Sequence, residues 1–259
     1  MRRAKQNSAR LLVYDIETSF NIGGYFGPVY DANIAKVIQH GFVFGFAYKL
    51  VGERSVTSVY IWDFPRYKKD PTNDIDVIKA WAKLMQDSDV VIGHNSDQFD
   101  NKVMTGRMMV HNLPPIGMPQ PVDTKKMAKR VARFDSNKLD DLGELFGLGR
   151  KIRTDVGLWW GCMQGEPKAQ RKMVRYNKQD VSLTEKLYLR LLPYDTRHPN
   201  RANIEGRPDA CPKCGEEGFL WAQGVRYTKT GQYRRYQCKS CGSYVSSRVQ
   251  EKTDRPNYV

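Results

Sequence analysis

The sequence predicts an α/β protein, with a mixed sheet flanked by helices and a small C-terminal unit organised by cysteines. Three observations carry that expectation. Leu11-Leu12-Val13-Tyr14 is an apolar run of strand length that leads into Asp15-Ile16-Glu17-Thr18. Gly41–Leu50 and Ser55–Trp62 are rich in β-branched and aromatic residues and flank Val51-Gly52-Glu53-Arg54, a glycine-containing turn, so they read as a hairpin. Asp89-Val90-Val91-Ile92-Gly93 is a short apolar strand of the kind buried on both faces in parallel sheets.

The first strand carries chemistry as well as fold. Side chains alternate across a strand, so Asp15 and Glu17 point to the same face. Two adjacent carboxylates repel, and each favours its neutral form unless a cation lies between them. The pair therefore reads as half of a divalent-metal site.

Downstream, Ser19 to Asn33 is rich in Gly, Tyr and Phe, the composition of a loop with exposed rings and a candidate substrate lip. From Asp74 to Gln86 apolar residues recur at helical spacing behind a cap at Asn73 or Asp74. After the buried strand comes His94-Asn95-Ser96-Asp97-Gln98-Phe99-Asp100, and then a helix from Asn101 to His111. Asp100 thus sits where a buried strand hands over to a helix, the usual ligand position of an open α/β sheet. An acid in a first helical turn also complements the helix dipole.

Pro114-Pro115 and the Gly/Pro-rich stretch 117–121 close this unit, and Asp123-Thr124 cap a helix from Lys125. Leu139 to Leu148 is an amphipathic helix stopped by Gly147 and Gly149, and Trp159-Trp160 read as core or loop cover. Pro167 opens one long helical pattern from Lys168 to Leu192. At 100° per residue Met173, Tyr176, Asp180, Leu183 and Leu187 fall within about 80° of one another, so a phenol and a carboxylate share the core-facing stripe. Lys168, Arg171, Lys172 and Arg175 lie on its flank, as a solvated face or a phosphate rail.

Composition narrows the partner. A net charge of +14 and 11% aromatic residues point to a polyanion whose bases can stack, so single-stranded nucleic acid leads. Met1-Arg2-Arg3-Ala4-Lys5 is basic but precedes no hydrophobic signal region, and no window approaches the roughly 18 apolar residues of a membrane span. The expected location is the cytoplasm. Cys162 stands alone and reads as a small buried side chain.

The other four cysteines form Cys211-Pro-Lys-Cys214-Gly215 and Cys238-Lys-Ser-Cys241-Gly242. Paired C-x-x-C-G knuckles predict a tetrahedral site for one structural Zn²⁺, with Cys211, Cys214, Cys238 and Cys241 as ligands. Between them Phe219–Tyr227 and Gln232–Gln237 read as a hairpin, which makes the unit a zinc ribbon. Residues 197–259 hold twelve Lys/Arg against six Asp/Glu, and Tyr227, Tyr233, Arg234, Arg235 and Tyr236 cluster on that hairpin. The ribbon is expected to hold nucleic acid or a replication or repair partner. The expected domains are 1–193 and 210–259, joined by an aperiodic linker over 194–209.

Three pieces now stand in order: Val13-Tyr14-Asp15-Ile16-Glu17-Thr18, Gly93-His94-Asn95-Ser96-Asp97-Gln98-Phe99-Asp100 and Tyr176-Asn177-Lys178-Gln179-Asp180. Together they closely resemble the DnaQ-like, or DEDD, family of 3′ to 5′ exonucleases in the ribonuclease H-like superfamily, over roughly residues 10 to 192. One branch of that family places a histidine five residues before the final aspartate, where this chain has Arg175. The tyrosine branch has Tyr-x-x-x-Asp, as Tyr176 and Asp180 do, so the resemblance is to the DEDDy type. In overall pattern the chain is similar to predicted exonucleases of bacteria and their viruses, which are related to the proofreading domains of family B polymerases. The chain contains no polymerase domain, so proofreading in cis is not expected.

The resemblance implies a ribonuclease H-like sheet and two Mg²⁺ or Mn²⁺ ions. Asp15, Glu17 and Asp180 would hold the ion that carries the attacking water, and Asp15 would bridge to a second ion supported by Asp100. It gives Tyr176 the attacking water to orient or help deprotonate, and it places Asn95 and Phe99 at the terminal nucleotide. Lys172 and Arg175 add candidate phosphate contacts. The expected reaction is release of 5′-mononucleotides from the 3′ end of single-stranded nucleic acid, DNA favoured over RNA. A non-catalytic nucleic-acid-binding protein on the same fold is the rival from another class.

Overall fold

A computed structural model describes residues 8–28 and 33–251. The basic Met1–Lys5 segment and residues 29–32 of the glycine-rich stretch lie outside the described residues. The apolar start of the chain forms β1 (Leu11–Thr18), and the hairpin beside it forms β4 (Val43–Leu50) and β5 (Thr57–Tyr60). β1 pairs antiparallel with β4, and β4 pairs antiparallel with β5. On the other side β1 pairs in parallel with β6 (Val90–Gly93), which pairs in parallel with β7 (Gln120–Asp123). The five-stranded mixed sheet thus runs β5-β4-β1-β6-β7, with β1 at its centre.

Helices cover both faces, as the apolar central strands require. Leu12, Tyr14 and Ile16 of β1 pack in one core with Val77, Ile78, Trp81 and Met85 of α1 (Ile75–Gln86) and Met104 and Met108 of α2 (Asp100–Val110). Leu11 and Val13 pack in a second core with α3 (Thr124–Val131), α4 (Leu139–Leu145) and α6 (Pro167–Leu191). Asp15 and Glu17 continue this second row, so the alternation of one strand aims both carboxylates at α6.

Several elements escaped the sequence patterns. The stretch read as a loop carries β2 (Ile22–Tyr25), which pairs with β3 (Ile34–Gln39) in a separate two-stranded ribbon. β3 is exposed along nearly its whole length, so no alternation betrays it. β7 includes Pro121, which an edge strand tolerates because one side of its ladder is free. α5 (Val156–Met163) is apolar all round and shows no helical stripe.

The linker contains a short helix, α7 (Arg201–Glu205), and is packed rather than loose. Glu205 accepts a hydrogen bond of 2.9 Å from the amide of Ala9 at the start of β1, and His198 Nε2 lies 2.8 Å from the hydroxyl of Tyr188 on α6. Beyond it β8 (Leu220–Tyr227), β9 (Gln232–Cys238) and β10 (Tyr244–Gln250) form an antiparallel three-stranded sheet, one strand more than the predicted hairpin. Among the described residues no helix is long and apolar enough to cross a membrane.

Candidate active site and metal centres

The site is assembled at the end of β1. Asp15 and Glu17 leave the strand on the face that α6 crosses, and Asp180 projects from α6 to meet them, so that one oxygen of each carboxylate lies within 4.8 Å of the others. Asp100 lies beside this trio, at the first turn of α2. Its Oδ1 accepts a 3.1 Å hydrogen bond from the amide of Ile16, the residue between the two strand acids.

Electrostatics follow from this crowding. Burial pushes Asp15 well above the usual carboxylate range, and the charges of Asp100, Asp180 and Glu17 push it in the same direction. Glu17 is raised to about 8 by burial and then by Asp180, while Lys151 and a hydrogen bond from Trp159 pull the other way. Asp100 is raised to about 7 by burial, against the amides that donate to it. Without a counter-cation the group prefers to hold protons, the expected behaviour of packed carboxylates.

One donor shows what the group lacks. Asp180 is buried, and its Oδ1 has no hydrogen-bond partner. An orphaned buried carboxylate oxygen is costly unless something ligates it. Together with the all-oxygen donor set of Asp15, Glu17 and Asp180 it fits a hard divalent cation.

Asp15 is aimed by a hydrogen-bonded chain. Asn177, next to Tyr176 in the long helix, donates from Nδ2 to Asp15 Oδ2 at 2.6 Å, and its Oδ1 accepts from the hydroxyl of Tyr60 at 3.0 Å. Tyr60 reaches it because Gly45 has no side chain. A Cβ there would stand 2.6 Å from the Tyr60 ring and 2.3 Å from the carbonyl oxygen of Val59. Gly45 is also the cross-strand partner of Glu17.

Tyr176 sits one helical turn from Asp180 and packs edge-on against Trp159 with ring centroids 5.9 Å apart. Burial and the Asp180 charge raise its phenol above the ordinary value. Trp159 therefore does more than cover a core, because it touches both Tyr176 and Glu17.

Lys151 gave no sign of itself in the sequence. Its Nζ lies 2.6 Å from Asp180 Oδ2 and 5.0 Å from the centre of the Tyr176 ring. Asp140 on α4 accepts the Lys151 amide at 2.7 Å and pairs with Arg150, which fixes the loop that carries the lysine inward. No local pattern marks such a residue, since its place depends on α4 and α6 meeting in space.

The remaining candidates are more dispersed. Asn95 takes a left-handed conformation with φ +67, its amide bonded to Asp123 and its Oδ1 3.3 Å from Lys125 Nζ. Phe99 is 45% exposed and lines, with Thr18, Asn21, His40 and Arg107, a cleft of about 600 Å³ beside the acids. Lys172 is half-buried on α6 and Arg175 is exposed, turned about 140° around the helix from Asp180. Among the described residues neither makes an ion pair.

The four sulfurs of Cys211, Cys214, Cys238 and Cys241 converge in a second centre. Cys211 and Cys241 are 3.8 Å apart, and Cys214 and Cys238 are 3.7 Å apart. A tetrahedron with Zn–S bonds near 2.3 Å has edges of about 3.8 Å, so the cluster fits zinc. Gly215 and Gly242 both adopt positive φ, 77° and 78°, which closes each knuckle on its cysteine pair.

Residues 3–144 match the family model described as the exonuclease domain of DNA polymerase family B. The chain belongs to this family. The match covers Asp15, Glu17 and Asp100 and ends before Lys151, Tyr176 and Asp180, whose place in the site is given by the geometry alone. Among solved structures the chain resembles the family B DNA polymerase of the hyperthermophilic archaeon Pyrobaculum calidifontis, at 19% identity and a TM-score of 0.53. That likeness concerns the fold, covering 71% of this chain and 25% of the polymerase, so the chain spans about a quarter of its length. No curated protein matches the chain.

Proposed function

We propose that the chain is a DEDDy-type 3′ to 5′ exonuclease that removes 5′-mononucleotides from the 3′ end of single-stranded DNA by a two-metal mechanism. The observation that carries the proposal is the convergence of Asp15, Glu17 and Asp180 from two separate elements, one of them with a buried carboxylate oxygen that lacks a hydrogen-bond partner. DNA is favoured over RNA because the matched family is one of DNA polymerases.

Each residue has a part in this reading. Asp15, Glu17 and Asp180 would hold one ion, and Asp15 with Asp100 would help hold a second. Two bound Mg²⁺ or Mn²⁺ ions supply an attacking water acidic enough for neutral pH and neutralise charge on the scissile phosphate and leaving oxygen. Tyr176, fixed between Asp180 and Trp159, orients the attacking water. Lys151 brings a positive charge to the edge of the acid cluster, where it can pair with a phosphate oxygen of the substrate. Phe99 lines the cleft where the terminal base would lie, Asn95 would touch that nucleotide, and Lys172 would contact a phosphate. Arg175 serves the strand further out.

In this reading residues 1–193 form the nuclease unit, 210–259 the zinc-held ribbon and 194–209 the packed joint between them. A replication or repair setting in the cytoplasm fits a nuclease of this family with reduced cysteines. The test is incubation of 5′-labelled single-stranded DNA and RNA with Mg²⁺ or Mn²⁺, alongside Asp15→Ala and Asp180→Ala. The proposal expects a ladder shortening from the 3′ end of the DNA that both variants abolish. Intact oligonucleotides bound tightly by the wild-type protein would overturn it.

A further inference from the structure

We infer that one face of the ribbon sheet is a platform for single-stranded nucleic acid, and that Trp221 and Tyr244 are the rings on which its bases stack. Residues paired directly across strands share a face, so the register sorts the side chains. Trp221 pairs with Gln237, and Gln237 with Tyr244. Arg226 pairs with Tyr233, and Arg235, two residues before Gln237, pairs with Ser246. Trp221, Arg226, Tyr233, Arg235 and Tyr244 therefore look out on one side.

The hairpin cluster apparent in the sequence divides accordingly. Tyr233 and Arg235 lie on this face, whereas Tyr227, Arg234 and Tyr236 lie on the other. That second face runs on into the sulfur cluster through Leu220 and Cys238, and its Arg234 is paired with Glu251 at 2.7 Å.

Two features fit the first face to a polyanion with flat bases. Trp221 is 53% exposed and Tyr244 is 54% exposed, so both rings are open to a stacking base. Each carries a cation. Lys239 Nζ stands 3.2 Å from the centre of the Trp221 ring, and the Arg235 guanidinium 5.3 Å from that of Tyr244. The three strands contain no acidic residue, so nothing in the sheet opposes a phosphate chain. Rings on which bases stack, interleaved with cations that track phosphates, are how sequence-tolerant single-strand surfaces work.

The platform is distinct from the acid pocket. The ribbon joins the linker helix α7, whose Arg201 amide donates to the Pro212 carbonyl at 2.9 Å; α7 in turn holds the Ala9 amide through Glu205, and Asp15 lies six residues beyond Ala9, about 20 Å at strand spacing. It therefore adds affinity for longer strands without entering the chemistry.

The test measures binding in the full chain without added divalent ion, so that it does not depend on turnover. Fluorescence anisotropy of a labelled oligothymidylate is expected to weaken by about tenfold for each of Trp221→Ala and Tyr244→Ala. Zinc content stays stoichiometric in both, and Tyr227→Ala on the opposite face binds as the wild type does. Should either ring variant lose zinc, the double variant Arg226→Ala, Arg235→Ala gives a second reading, with a salt dependence shallower by about two phosphate contacts. Wild-type affinity in the ring variants, or an equal loss in Tyr227→Ala, overturns the inference and leaves the face to a protein partner. A second arm rests on the proposed nuclease activity: Trp221→Ala raises KM for long oligonucleotides and not for trinucleotides, with kcat unchanged. Absent turnover in the wild-type protein would sink that reading while the binding result stands by itself.

Discussion

The ammonium of Lys151 lies 2.6 Å from Asp180 Oδ2, inside the carboxylate group that fits a divalent ion. Lysine and ion compete for the same charge. Replacing Lys151 with alanine removes the competitor and a cation able to face the phosphate. Mn²⁺ is expected to bind more tightly to Lys151→Ala than to the wild type, while kcat falls by about a hundredfold. Calorimetric titration and single-turnover kinetics read the two effects separately. Weaker Mn²⁺ binding in the variant would show that the lysine supports the metal site instead.

Asn177 joins Tyr60 to Asp15, and a partner that orients a metal ligand commonly contributes 10–100-fold, to order of magnitude, in metal affinity or activity. Asn177→Ala should weaken Mn²⁺ binding by about that factor and leave the buried Tyr60 hydroxyl without its acceptor. Gly45→Ala should produce the same defect from a distance by displacing the Tyr60 ring. Full metal affinity in both variants would remove the chain from the account.

The metal-free protein should lose stability as pH rises. Glu17 is raised to about 8 and Asp100 to about 7, whereas both titrate near 4 when unfolded. Between those values the folded state binds more protons than the unfolded state, so stability is full below about pH 4 in this respect and drains away up to about pH 8. Melting temperatures measured between pH 5 and 8 should fall, with a smaller fall for Glu17→Gln and for the Mg²⁺-loaded protein. The chelated wild-type protein holding a constant melting temperature across that range would contradict the assignment.

Cys211→Ser should abolish stoichiometric zinc and lower the melting temperature of the ribbon, because small units held by metal fold with it. Metal analysis and near-ultraviolet circular dichroism check this, and retained zinc would count against the four-sulfur site.

The sequence displayed the parts of this protein that are locally periodic. β1 is visible because Leu11 to Tyr14 are buried on both faces, and α6 because Met173, Tyr176, Asp180, Leu183 and Leu187 repeat at helical spacing behind Pro167. The cysteine knuckles announce themselves by spacing alone. What stayed hidden depends on contacts between distant segments. β7 is four residues long and contains Pro121, β3 is exposed, and α5 is apolar on all sides, so none has a readable period. Lys151 and Asn177 enter the site only because α4, α6 and β1 converge. Arg175, grouped in sequence with a basic flank, is carried by the helix turn to the side away from Asp180.

The central claim is that Asp15, Glu17, Asp100 and Asp180 form one pocket for a pair of hard ions. Isothermal titration of the zinc-loaded protein with Mn²⁺ tests it most directly, comparing wild type with Asp15→Asn and Asp180→Asn. Two ions bound by the wild type, with Asp15→Asn losing both and Asp180→Asn at least one, is the predicted result. Equal stoichiometry and affinity in all three proteins would contradict it.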